Sequence, residues 1–136
     1  MLKPKYSNIL FCLLAKYSIF FLILGFKGDR FKKMVLVNSE NTQDFFTNLF
    51  YYLIYVLIFI IFLILIFSAP IYYSLKLKKA TPFIFTISLV LLLEYLVYTY
   101  LASQTNLWNG IYNAIISLLF LGLFFYKHIA SMFKKV

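Results

Sequence analysis

Apolar residues gather into four long runs separated by short polar segments. The first, 8–26, holds about 19 residues, enough to cross a bilayer, and is broken by Lys16. The second, 45–73, is the strongest: from Tyr55 to Phe67 no side chain is polar beyond Tyr55 itself. Pro70 lies near its end, where it can kink or stop a helix. The third run is 82–103, with Thr81 placed as an N-cap and Pro82 at the first helical position. The fourth is 107–127, with Trp108 at the headgroup level. Backbone exposed to lipid must satisfy its own hydrogen bonds, so all four runs are expected as helices. The fold class is all-α: a single integral membrane bundle of four transmembrane helices, or three if the first run lies on the membrane.

The connections differ in kind. Residues 27–44 read as a long loop of mixed charge, closed by Asn41-Thr42-Gln43-Asp44, a variant capping box for the second helix. Residues 74–80 are short and basic. Residues 103–106 form a tight turn, so the third and fourth helices are expected as antiparallel neighbours. With four spans, Lys3, Lys5, Lys76, Lys78, Lys79, Lys127, Lys134 and Lys135 share one side without an acid. The other side holds Lys27, Arg30, Lys32 and Lys33 with Asp29, Glu40 and Asp44. Positive residues stay on the cytoplasmic or matrix face, which puts both termini there.

Composition fits this picture. The chain is 64% hydrophobic and 12% charged, against roughly half and a quarter in soluble domains. A net charge of +9 would suggest nucleic acid in a soluble protein. Here the lysines flank apolar runs, the topological pattern, and nucleic acid is set aside. Phe, Tyr, Ile, Lys and Asn make up 64 of 136 residues, and Lys outnumbers Arg twelve to one. These residues share A/T-rich codons, a bias that fits the mitochondrial genomes of protists and those of some reduced bacteria; organellar genomes retain mainly very hydrophobic membrane subunits. The N-terminus shows neither a signal-peptide cleavage site nor an Arg- and Ser-rich transit peptide. The only cysteine, Cys12, reads as a small buried hydrophobe.

Candidate chemistry is sparse. Glu94 lies near the centre of the third run, where an ionisable group costs on the order of 3 kcal/mol. Its helical neighbours include Val90, Val97 and Tyr98, and the Tyr98 phenol is placed to bond it from one turn on. A carboxyl group at that depth serves either as a proton relay or as a packing residue bonded to a neighbouring helix. Asn109, Asn113 and Ser117, spaced by four, form a polar stripe facing the third helix, read first as interhelical hydrogen bonding. Lys16 is expected to snorkel to the basic side or to pair with a partner subunit; an ion pair with Glu94 is the other option. The single histidine, His128, cannot supply a bis-His haem site. No catalytic triad, phosphate loop or metal-ligand cluster is present, so no cofactor, metal or small-molecule substrate is expected.

Leu91-Leu92-Leu93-Glu94 after Lys76-Leu77-Lys78-Lys79, followed by 113–119 and Tyr126-Lys127-His128, resembles the small 4L-type (K-type) membrane subunit of complex I, the proton-pumping NADH:quinone oxidoreductase. The resemblance covers residues 50–136. It implies a mitochondrial inner-membrane subunit surrounded by other hydrophobic subunits, with Glu94 matching the family's first proton-relay Glu. Asn113 stands where the second acid is expected and cannot carry a proton. An extra N-terminal helix precedes the matching part. The competing readings are a purely structural subunit of another respiratory complex or ATP synthase, and a small independent transporter or channel.

Overall fold

The structure, a computed structural model, describes residues 3–27, 29–102 and 106–134. Its long helices are α1 (Tyr6–Lys27), α3 (Thr42–Leu75), α4 (Ala80–Ala102) and α5 (Leu107–Phe133). All four are long and apolar enough to cross a membrane, the first included. The first run is therefore a full-length helix of the bundle.

Local sequence explains most of the helix ends. Asn41 is extended, and its side-chain oxygen accepts the Asp44 N–H at 2.8 Å, capping α3 as the box predicts. Asn106 caps α5 in the same way through the Trp108 N–H at 3.1 Å. The start of α4 differs from expectation. The helix begins at Ala80, so Thr81 lies inside its first turn instead of capping it. Pro82 is tolerated there because first-turn N–H groups have no intrahelical acceptor. Nor does Pro70 end α3, which continues to Leu75.

Residues 27–44 are not the open loop that their mixed charge suggests. A short helical turn, α2 (Asp29–Phe31), leads into a π-helical stretch, Lys32–Val37, folded back on the start of α3. Val35 is fully buried there, Phe31 packs edge-on against Tyr52, and Asn48 donates to the Asn38 carbonyl at 3.1 Å. The apolar Phe31, Val35 and the Asn48 amide give this segment contacts that charge counting overlooks. At 34 residues α3 is about 50 Å long, more than a hydrocarbon core of about 30 Å, and the connector packs along the surplus.

The long helices close a ring: α1 packs on α3, α3 on α4, α4 on α5 and α5 on α1. Thus α1 and α4 face each other across the diagonal. The turn at 103–105 lies outside the described residues, but α4 and α5 pack as the neighbours it implies. The interior is built from stripes at helical spacing: Leu13, Tyr17 and Phe20; Leu63, Phe67 and Ile71; Val90, Glu94 and Tyr98; Asn113, Ser117, Leu121 and Phe125. The outside is also apolar. Phe26, Leu65, Phe85 and Leu123 are each two-thirds or more exposed, a surface that needs lipid around it. Tyr73, Tyr126 and Trp108 lie exposed toward the helix ends, as an interfacial aromatic belt requires. His128 Nε2 lies 2.6 Å from the Leu75 carbonyl, tying α5 to one of the last carbonyls of α3.

The α4–α5 contact depends on Gly110. A Cβ there would lie 2.4 Å from Thr99 Oγ1 and 2.7 Å from the Tyr95 ring, whereas one at Gly122 would meet nothing within 4 Å. We expect Gly110→Ala to lower stability by about 1–3 kcal/mol through overpacking. Gly122→Ala should be neutral or stabilising, since Ala is the better helix former. Thermal unfolding of both variants in detergent checks the contrast.

Candidate functional site

Three helices converge on one carboxylate. Glu94 of α4 is fully buried, and so is Lys16 of α1, at 1% exposure. The Lys16 ammonium donates to Glu94 Oε1 across the bundle diagonal. The Tyr17 hydroxyl donates to the same oxygen at 2.5 Å. Ser117 of α5 donates to Oε2 at 2.8 Å. Both carboxylate oxygens are therefore engaged. The Lys16 nitrogen also sits 3.9 Å from the Tyr17 ring centroid, a close cation–π contact.

This arrangement replaces the snorkelling expected for Lys16. Snorkelling needs a route along lipid to the interface, but Lys16 lies mid-helix on the inward face with Leu13, Tyr17 and Phe20. From there the partner in reach is Glu94. Tyr98 packs edge-on against Phe20 at 5.0 Å and lies 6.3 Å from Phe21, and the Tyr17 hydroxyl from α1 also reaches the carboxylate. Nothing in the sequence marked Tyr17. It is 77 positions from Glu94 and looks like one aromatic among many.

The polar stripe of α5 faces α4 as predicted. Asn113 and Ser117 are buried, and Asn109 is half-buried toward the helix start. The Ser117 hydroxyl has one proton and two acceptors in reach, Glu94 Oε2 at 2.8 Å and the Asn113 carbonyl at 2.9 Å. It donates to the carboxylate when Glu94 is charged. When Glu94 carries a proton on Oε2, it can receive that proton's hydrogen bond and turn its own to Asn113. One turn away, neither atom of the Asn113 side-chain amide has a hydrogen-bond partner among the described residues, and the buried Thr99 hydroxyl likewise has none there. Buried polar groups left unpaired are uncommon and cost about 1–3 kcal/mol each. They extend the polar zone from Glu94 along the α4–α5 seam.

In this dry interior the pair is held by geometry as much as by charge. Its desolvation cost offsets most of the Coulomb gain, so two good hydroxyl donors matter. A proton moved from Lys16 to Glu94 leaves a neutral amine beside a neutral acid, with the same contacts available. Among the described residues no cluster of His, Cys, Asp and Glu is able to hold a metal ion. Comparison of the chain with protein-family models, curated proteins and solved structures finds no match.

Removing one partner leaves an uncompensated buried charge. Lys16→Leu and Glu94→Leu should each destabilise by about 3–5 kcal/mol. The double variant should recover most of that loss, because a wholly apolar core needs no partner. Unfolding midpoints of the four proteins in one detergent form the cycle, and additive losses would show that the two residues do not interact.

Proposed function

We propose that this chain is a hydrophobic subunit of a proton-translocating respiratory assembly, in which the Lys16–Glu94 pair is a protonatable station on a proton path. The single observation behind the reading is the fully buried carboxylate at mid-bundle, held by an ammonium and two hydroxyls from other helices. Intramembrane ionisable residues mark proton relays and ion pathways as a rule, and a Lys–Glu pair can pass a proton without creating net charge.

The assembly we favour is the membrane arm of NADH:ubiquinone oxidoreductase in the mitochondrial inner membrane, with both termini on the matrix side. Support comes from the A/T-biased composition, the excess of lysines on the terminal side and the likeness of residues 50–136 to the 4L-type subunit. Glu94 is then the relay acid. Lys16, supplied by the additional N-terminal helix, takes the place of a second titratable group that Asn113 cannot provide. The exposed apolar faces of the bundle leave room for other hydrophobic subunits and lipid. The chain has no substrate of its own in this account.

One observation favours a second reading. Both Glu94 oxygens are already bonded within the chain, as a packing lock would have them. The readings separate on Glu94→Gln, which keeps the shape and removes the charge. For a relay, the variant assembles into the complex and oxidises NADH, but pumps fewer protons per electron by acidification of vesicles. Unchanged pumping in a fully assembled complex leaves only the structural role. Migration of the wild-type chain as a small homo-oligomer on a native gel would remove the respiratory assignment.

A further inference from the structure

On the lipid-facing side, between α1 and α3, lies a groove of about 570 Å³, a volume typical of ligand pockets. It runs from Ser18 and Ile60 near mid-bundle to Phe26 and Phe31 at the connector. Gly25 forms part of its floor, where a Cβ would come within 3.2 Å of the Tyr52 hydroxyl. Its walls are otherwise almost wholly apolar and include the exposed Leu22, Phe50 and Leu53. From Ser18 to Phe26 is about 12 Å along the helix axis, close to the half-thickness of a hydrocarbon core. The groove therefore has the depth of one leaflet.

Charge marks its mouth. Phe31, which lines the groove, is flanked in the chain by the exposed Arg30 and Lys32, with the exposed Lys33 next. Arg30 is exposed and gives one N–H to the Tyr55 hydroxyl at 2.6 Å. Three exposed cations, Arg30, Lys32 and Lys33, thus flank or follow Phe31, the connector residue that lines the slot. Apolar walls one leaflet deep and a cationic rim together match an anionic glycerophospholipid.

We propose that this groove is a binding site for one anionic glycerophospholipid, one acyl chain lying between α1 and α3 and the phosphate on Arg30, Lys32 and Lys33. A neighbouring apolar helix would need no cations at one end, whereas a phosphate does. The site stands apart from Glu94 and does not depend on the proton-path reading.

The test uses the full chain in nanodiscs with equal phosphatidylglycerol and phosphatidylcholine, released into mild detergent and weighed intact by native mass spectrometry. One phosphatidylglycerol should stay bound per chain, preferred over phosphatidylcholine by at least about tenfold, since each basic residue near the surface adds to the attraction. R30Q/K32Q/K33Q, which changes only exposed residues, should abolish the preference. Leu53→Trp, which fills the groove, should lower lipid retention about fivefold or more while leaving helix content by circular dichroism unchanged. Equal retention of the two lipids, or a preference that survives the triple variant, would overturn the proposal. So would a chain that dimerises through this face and loses the dimer in Leu53→Trp.

Discussion

A lysine ammonium and a glutamate carboxylate that meet in the middle of an apolar bundle constrain everything around them. Neither can be left alone at that depth, so Lys16 and Glu94 fix the rotation of α1 against α4 across the bundle diagonal. Ser117 draws α5 to the same point, and Tyr17 completes the shell from α1. Hydrophobic burial cannot supply this register. In lipid the outside of each helix is as apolar as the inside, so there is little drive to turn one face inward over another. The polar contacts choose the faces, and the stripes of Leu, Phe and Ile pack where the contacts leave them.

The consequence for chemistry follows from the same geometry. A carboxylate bonded by one ammonium and two hydroxyls is pre-organised in either protonation state. The Ser117 hydroxyl has two acceptors in reach, Oε2 and the Asn113 carbonyl. The Asn113 amide and the Thr99 hydroxyl, without hydrogen-bond partners among the described residues, lie farther along the same seam. The apolar core of α3 offers no such group between Val56 and Phe67, so the polar zone runs along one side of the bundle.

Much of the architecture is legible in the sequence. The four spans follow from the length and polarity of their runs, and Asn41 announces its helix by a cap that the structure contains. Glu94 stands out because an ionisable group in an apolar run is costly without a partner. What the sequence hid is non-local. The partner of Glu94 lies 78 residues upstream, and nothing in either run names the other. Local charge also misled in the connector, where Phe31 and Val35 find partners on α3 that outweigh the surrounding lysines. The fourth helix runs past 127 to Phe133 because polar residues end an apolar run but not a backbone ladder, and His128 and Met132 still pack inward.

The central claim is that the buried pair exchanges a proton instead of serving only as a lock. Carbodiimides such as N,N′-dicyclohexylcarbodiimide react with protonated carboxyl groups in apolar surroundings, which makes modification of Glu94 in native membranes, mapped by mass spectrometry, the most direct measurement. The account predicts labelling at Glu94, with Glu40 and Asp44 in their aqueous segment left unmodified. A Glu94 that stays unlabelled in membranes where other buried acids react would contradict it and leave the ion pair as a structural element alone.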